Sequence, residues 1–121
     1  MQEQVKLPKL YLDILNQVFE IEKKLSQIKE PNSIQRNVNR LKESFENMKS
    51  NISNEPMNII YKDPIGEDYN ETRTDCEASI AGITTENLVI VEVIKPIIYC
   101  QFGGQNIIAQ KGVVVVEEQK N

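Results

Sequence analysis

Few residues in this chain have the type and spacing that chemistry needs. Histidine is absent, which removes the commonest general base and the commonest transition-metal ligand. Cys76 and Cys100 form no C-x-x-C pair and read as buried structural thiols in a reducing compartment. Six acids fall between Asp63 and Glu77, which invites calcium or magnesium. A calcium loop of the EF-hand kind needs regularly spaced oxygen ligands around a central glycine, and Asp63-Pro64-Ile65-Gly66 breaks that pattern at once. The stretch reads instead as a solvated acidic loop. Gly103-Gly104 lacks the further glycines and the following helix of a phosphate cradle, so it reads as hairpin punctuation. Asn51-Ile52-Ser53 and Asn70-Glu71-Thr72 match the glycosylation sequon, but without a signal peptide they are chance matches. No serine, cysteine or lysine sits in a nucleophile motif, and a triad would lack its base. The expectation is a protein that is no enzyme and holds neither cofactor nor metal.

Binding is then the function to look for, and charge limits the partners. Residues 1–55 carry nine basic and eight acidic side chains, and residues 56–121 carry five basic and ten acidic. An acidic second half has the wrong sign for displacing counterions from nucleic acid and suits basic or apolar protein partners. The aliphatic runs are far shorter than the roughly 20 residues that span a bilayer. Nothing at the N-terminus combines a charged and an apolar region as a secretory leader does. A cytoplasmic location is expected, with no nucleic acid and no membrane as partner.

Two helices must carry the first half. Leu7, Tyr11, Ile14, Val18, Ile21, Leu25 and Ile28 recur at spacings 4,3,4,3,4,3, a heptad seam that starts near Pro8, whose fixed φ suits a first turn. Ile34, Val38, Leu41, Phe45, Met48 and Ile52 repeat the pattern. The six-residue step from Ile28 to Ile34 breaks the phase at Glu30-Pro31-Asn32-Ser33. Pro31 disfavours helix at Glu30, and Asn32 or Ser33 can cap the next helix. The unit is therefore an αα-hairpin over residues 1–55. Leu10, Leu12, Leu15 and Phe19 widen the first helix's apolar face. Two hairpins meeting as a four-helix bundle would cover that face, and so would a β-domain folded back on it.

From Met57 the pattern is that of strands. Asn58–Tyr61 is a short β run, Asp63-Pro64-Ile65-Gly66 a turn, and 68–74 a polar loop. Asp75–Ile80 alternates, Leu88–Ile94 is almost wholly aliphatic, and Lys95-Pro96 marks a bend or edge. Ile97–Phe102, the glycine turn and Ile107–Val116 form a hairpin, with valines 113–116 reading as buried on both faces. Residues 56–121 are expected to form a small antiparallel all-β domain, giving an α+β chain. A domain of about 60 residues hides only ~60% of its unfolded surface, so a partner copy is expected to help.

Several strings, in order, resemble GrpE, the nucleotide exchange factor family of Hsp70 (DnaK) chaperones. Leu7-Pro8-Lys9-Leu10-Tyr11-Leu12-Asp13-Ile14-Leu15-Asn16 is similar to that family's helix opening with Leu-Pro. Ile59-Ile60-Tyr61-Lys62-Asp63-Pro64-Ile65-Gly66-Glu67 is similar to its first β-domain strand and Asp-Pro-x-Gly-Glu turn. Val91-Glu92-Val93-Ile94-Lys95-Pro96 resembles its Val-Glu-Val strand ending at a lysine corner, and Gln110-Lys111-Gly112-Val113-Val114-Val115-Val116 its closing valine strand. The family's long N-terminal paired helix has no counterpart, and Glu55-Pro56 stands where a Lys-Phe-Gly string is common.

The resemblance implies a homodimeric co-chaperone of protein folding and stress response. Its β-wing binds the ATPase domain of an Hsp70-like chaperone and opens it so that ADP leaves, without a cofactor. Carried onto this chain, partner contacts fall on Val93, Lys95, Gln105, Asn106 and Val116. Dimerisation falls on Tyr11, Ile14, Val18, Ile21, Leu25, Val38, Leu41, Phe45 and Met48. The alternative is a coiled-coil dimerising adaptor whose β-domain docks another protein without nucleotide exchange.

Overall fold

A computed structural model describes residues 7–30, 32–49 and 55–120. Pro31, Ile52 and the Asn51 sequon lie outside the described residues. The chain is α+β: two N-terminal helices packed as a hairpin, then β-sheets that include a curled half-barrel. Helix α1 spans Lys9–Leu25, entered from Pro8 at φ −53°, which suits a first helical turn. Helix α2 spans Ile34–Glu46. The Asn32 carboxamide oxygen accepts from the Ile34 amide at 3.0 Å, so Asn32 satisfies one of the amides left free at the helix start, and Ser33 makes no side-chain cap. Tyr11 and Phe45 meet edge-on at 5.8 Å between ring centres, and Val18 and Val38 are buried.

Seven strands follow: β1 Asn58–Lys62, β2 Asp68–Tyr69, β3 Cys76–Ile80, β4 Leu88–Lys95, β5 Ile97–Phe102, β6 Gln105–Gln110 and β7 Gly112–Glu118. They form a three-stranded sheet in the order β1-β5-β6 and a four-stranded sheet in the order β2-β4-β7-β3. One long hairpin supplies four of these strands. It runs out as β4 and β5, turns at Gly103-Gly104 with φ 60° and 77°, and returns as β6 and β7. Both arms bend at the same level, at Pro96 and at Lys111, so each arm changes sheet there. This corrects the reading of 107–116 as one strand. Proline lacks the ladder donor. At Gly112 a Cβ would stand 2.9 Å from Ile97 Cγ1 and 3.2 Å from Cys76 Sγ, so the chain approaches too closely there for a side chain.

Two further differences have physical causes. β3 pairs with β7 in parallel, against an expectation of antiparallel pairing throughout, because the 81–87 connection crosses the end of β7, so that β4 runs opposite to β3 and β7, antiparallel to β4, runs alongside β3. Asp68–Tyr69, read as loop, pairs briefly with β4. The valines of β7 are buried on one face: Val114 and Val116 are in the core, whereas Val113 and Val115 are half-buried.

Helices and sheets share their cores. Leu15 packs with Phe45, Ile59, Ile98 and Ala109. Phe19, one turn later on α1, packs with Cys76, Leu88, Ile90, Val93, Ile97, Val114 and Val116. Each such side chain contributes about 1.5–3 kcal/mol when fully buried. The change from helices to strands at residues 55 and 56 is therefore not a boundary between separate cores. Asn16 and Gln110 exchange amide hydrogen bonds across the junction at 3.0 and 2.8 Å, and Lys23 Nζ donates to the Val93 carbonyl at 3.1 Å.

Candidate partner-binding surface

Strand β4 is the element that shapes the β-half's surface. Its register against β7 slips twice, between Ile90 and Glu92 and between Val93 and Lys95. Val91 and Ile94 are the extra residues. A bulge leaves its extra residue unpaired and re-aims side chains, and both of these aliphatic side chains are exposed, at 40% and 49%. Ile65, on the turn beside β4, is 51% exposed. That turn is fixed by reciprocal backbone bonds, Gly66 N to Ile90 O and Ile90 N to Glu67 O, both 2.9 Å. Ile65, Val91, Glu92 and Val93 share one shallow cavity with Phe19, Lys23 and Asp63.

The residues expected to touch a partner separate accordingly. Val93 and Val116 are core residues, 3% and 0% exposed, because the slipped register of β4 turns Val93 inward and the alternation of β7 puts Val116 on the face of Val114. They present no side chain to a partner, and that assignment is corrected. Lys95, Gln105 and Asn106 are exposed. Gln105 and Asn106 line an open cavity of about 540 Å³ with Glu55, Pro56, Asn58 and the Gln101–Gly104 segment.

The expected dimer seam also divides. Val18, Val38 and Phe45 are buried inside a single chain, and Tyr11, Ile14, Leu25 and Met48 are half-buried. Burial of the first three within one copy takes them out of a dimer interface, which corrects their assignment. Ile21 and Leu41 remain exposed, as do Leu10, Ile28 and Ile34. Leu10 and Ile21 are three turns apart on α1 and fall in one row, and Ile28 lies past the helix end in the connection to α2. Ile34 and Leu41 are seven apart and form a second row.

Charged groups in the β-half are arranged to hold a loop. Arg73 donates from Nε to Asp75 Oδ1 at 2.6 Å, from Nη2 to Glu67 Oε1 at 2.8 Å and from Nη1 to the Asp68 carbonyl at 3.0 Å. Burial alone would raise the Asp75 pKa, but the hydrogen bond and charge of Arg73 outweigh it and hold the carboxyl below its ordinary value. Burial, reinforced by the Asp75 charge, pushes the Cys76 thiol up to about 11, and burial raises Cys100. Both thiols are free and far from the reactive thiolate form at neutral pH. Among the described residues no group of His, Cys, Asp or Glu is placed to hold a metal, and no helix is long and apolar enough to cross a membrane.

Sequence reasoning missed Ile65, Val91 and Ile94. A signal for the bulges was present: Leu88, Ile90 and Glu92 share an alternation phase, and a carboxylate does not continue a buried face without a partner. The chain matches no family model, no curated protein and no solved structure in comparisons with each.

Proposed function

We propose that this chain is a non-enzymatic co-chaperone of the GrpE kind. It binds the ATPase domain of an Hsp70-like chaperone in the cytoplasm and promotes release of ADP. The observation that carries this reading is the doubly bulged β4, which leaves Val91 and Ile94 exposed, Val91 sharing a shallow cavity with Ile65, on a β-half fastened to its helices. A wedge that keeps a partner open has to be stiff, and its apolar contacts have to be aimed by backbone. The order of elements and the strings from Leu7 to Val116 support the same reading.

Exchange by such a wedge is differential binding: it speeds ADP release only as far as it binds the open ATPase more tightly than the closed one. Ile65, Val91, Ile94 and Lys95 make the apolar and basic contact, and Gln105 and Asn106 make a polar one at the hairpin tip. The rows Leu10-Ile21 on α1 and Ile34-Leu41 on α2 pair two copies into a homodimer.

The test is the release rate of a labelled ADP analogue from an Hsp70-like ATPase domain. Acceleration that Val91→Ser with Ile94→Ser removes supports the proposal. An unchanged rate with the intact chain overturns it, and binding without acceleration favours the adaptor.

A further inference from the structure

The four-stranded sheet has one open edge of useful length. At its other end β2 is only two residues long. In the three-stranded sheet, α2 packs against β1 and α1 reaches β6 through Asn16 and Gln110. β3 pairs with β7 on one side, and among the described residues no other strand pairs with it.

The parity of β3 follows from its two terminal bonds. Gly112 N donates to Asp75 O at 2.9 Å and Ala81 N donates to Val116 O at 2.8 Å. In a parallel ladder alternate residues turn both backbone groups to the same neighbour, so Asp75, Glu77, Ser79 and Ala81 serve β7. Cys76, Ala78 and Ile80 turn their N–H and C=O groups to the open side. Natural sheets blunt such edges with charged side chains, proline or a bulge, and Cys76-Glu77-Ala78-Ser79-Ile80 has neither proline nor bulge and a single charge, Glu77.

Side chains specify what the edge takes. Glu77, the second residue of the strand, is exposed and makes no ion pair with a described residue, whereas Asp75 is held by Arg73. Ile80 is 41% exposed, on the face shared with Ala78 and Cys76. Beyond the strand, Ala81, Gly82, Ile83 and Thr84 form a cavity of about 260 Å³ with Glu117, Glu118 and Lys120.

We propose that the free edge of β3 receives an extended segment of a partner protein, with a lysine opposite Glu77 and aliphatic residues over Ala78 and Ile80. Main-chain bonds to Cys76, Ala78 and Ile80 supply affinity, and the alternating side chains supply selection. The surplus of acid over base in residues 56–121 favours a basic strand over a second copy of this chain. This contact is separate from the Ile65, Val91 and Ile94 surface and does not depend on the exchange reading.

The test uses an eight-residue peptide of alternating lysine and valine and the full chain, followed by amide hydrogen exchange. The peptide is expected to slow exchange at Cys76, Ala78 and Ile80 by about tenfold or more, with little change at Glu77 and Ser79, which the β7 ladder already protects. Glu77→Lys should weaken binding by about fivefold at low salt. Ala78→Pro removes an open-side donor and no bond to β7, so it should abolish binding. Should that variant fail to fold, a peptide N-methylated at alternate residues tests the same bonds on the unaltered protein, and one of its two registers should lose binding. Equal binding by Ala78→Pro or by both methylated peptides, protection elsewhere, or no binding at millimolar peptide overturns the proposal. So does concentration-dependent protection of the three amides without peptide, which would make a second copy the occupant.

Discussion

The side-chain amides of Asn16 and Gln110 hydrogen-bond each other in both directions, 94 residues apart in sequence, while Gln110 Nε2 also donates to the Pro96 carbonyl at 2.9 Å. One glutamine thus ties α1 to the bend of the long hairpin. In a double-mutant cycle, Asn16→Ala and Gln110→Ala should each destabilise, with a coupling of about 0.5–1.5 kcal/mol. Urea unfolding measures it, and strict additivity would show that the pair does not act as a clamp.

Gly112→Ala should destabilise by about 1–3 kcal/mol, because the added methyl meets Ile97 and Cys76 inside a packed core. A paired Ile97→Ala change removes Cγ1, the atom the methyl meets at 2.9 Å, so the two substitutions together should cost less than the sum of their separate effects. Urea midpoints of the single and double variants check both statements.

Val91→Ser and Ile94→Ser should shift unfolding free energy by about 0.5 kcal/mol or less, since exposed positions contribute little, yet, on the proposed function, reduce the acceleration of ADP release from an Hsp70-like ATPase domain. Val93→Ala, at a buried position, should cost about 1–3 kcal/mol of stability. A release assay and a melting curve on each variant separate the two kinds of valine.

Asp75 has a folded-state pKa below its ordinary value. The sign follows: its contribution is present at neutral pH and is lost as pH falls below the ordinary carboxylate range through the lowered value, because the unfolded state then binds more protons. Asp75→Asn should therefore cost about 1–2 kcal/mol at pH 7. That deficit should shrink toward pH 2, as measured by denaturant unfolding across pH.

Cys76 and Cys100 should both resist a thiol-exchange reagent at pH 8 and react fully in urea. Each is buried, and Cys76 titrates only near 11. Rapid labelling of either thiol in the folded protein would contradict the packing described for β3 and β5.

Much of this architecture could be read from residue spacing. The phase break between Ile28 and Ile34 located the helical turn, and the glycine pair located the hairpin tip. The bends were harder. Pro96 marked one, but Lys111-Gly112 looked like the middle of a continuous strand, because the reason for its glycine is a contact with Ile97 and Cys76 from distant segments. The same limit hid the contact surface. Val91 and Val93 have the same residue type two positions apart, and only the slipped register against Val114 and Val115 sets one outside and the other inside. The heptad seams carried no label saying which positions serve the neighbouring helix, the sheet or another copy.

β7 lies inside the four-stranded sheet, between β4 and β3, although it is the last of the seven strands to leave the ribosome. Until it emerges, Cys76–Ile80 has no ladder neighbour, and Leu88–Lys95 has only the two residues of β2 on that level. A nascent chain with everything beyond residue 111 still inside the ribosome would hold its helices and the three-stranded sheet beside two unzipped strands, an aggregation hazard that ends only when Gly112–Glu118 slots between them.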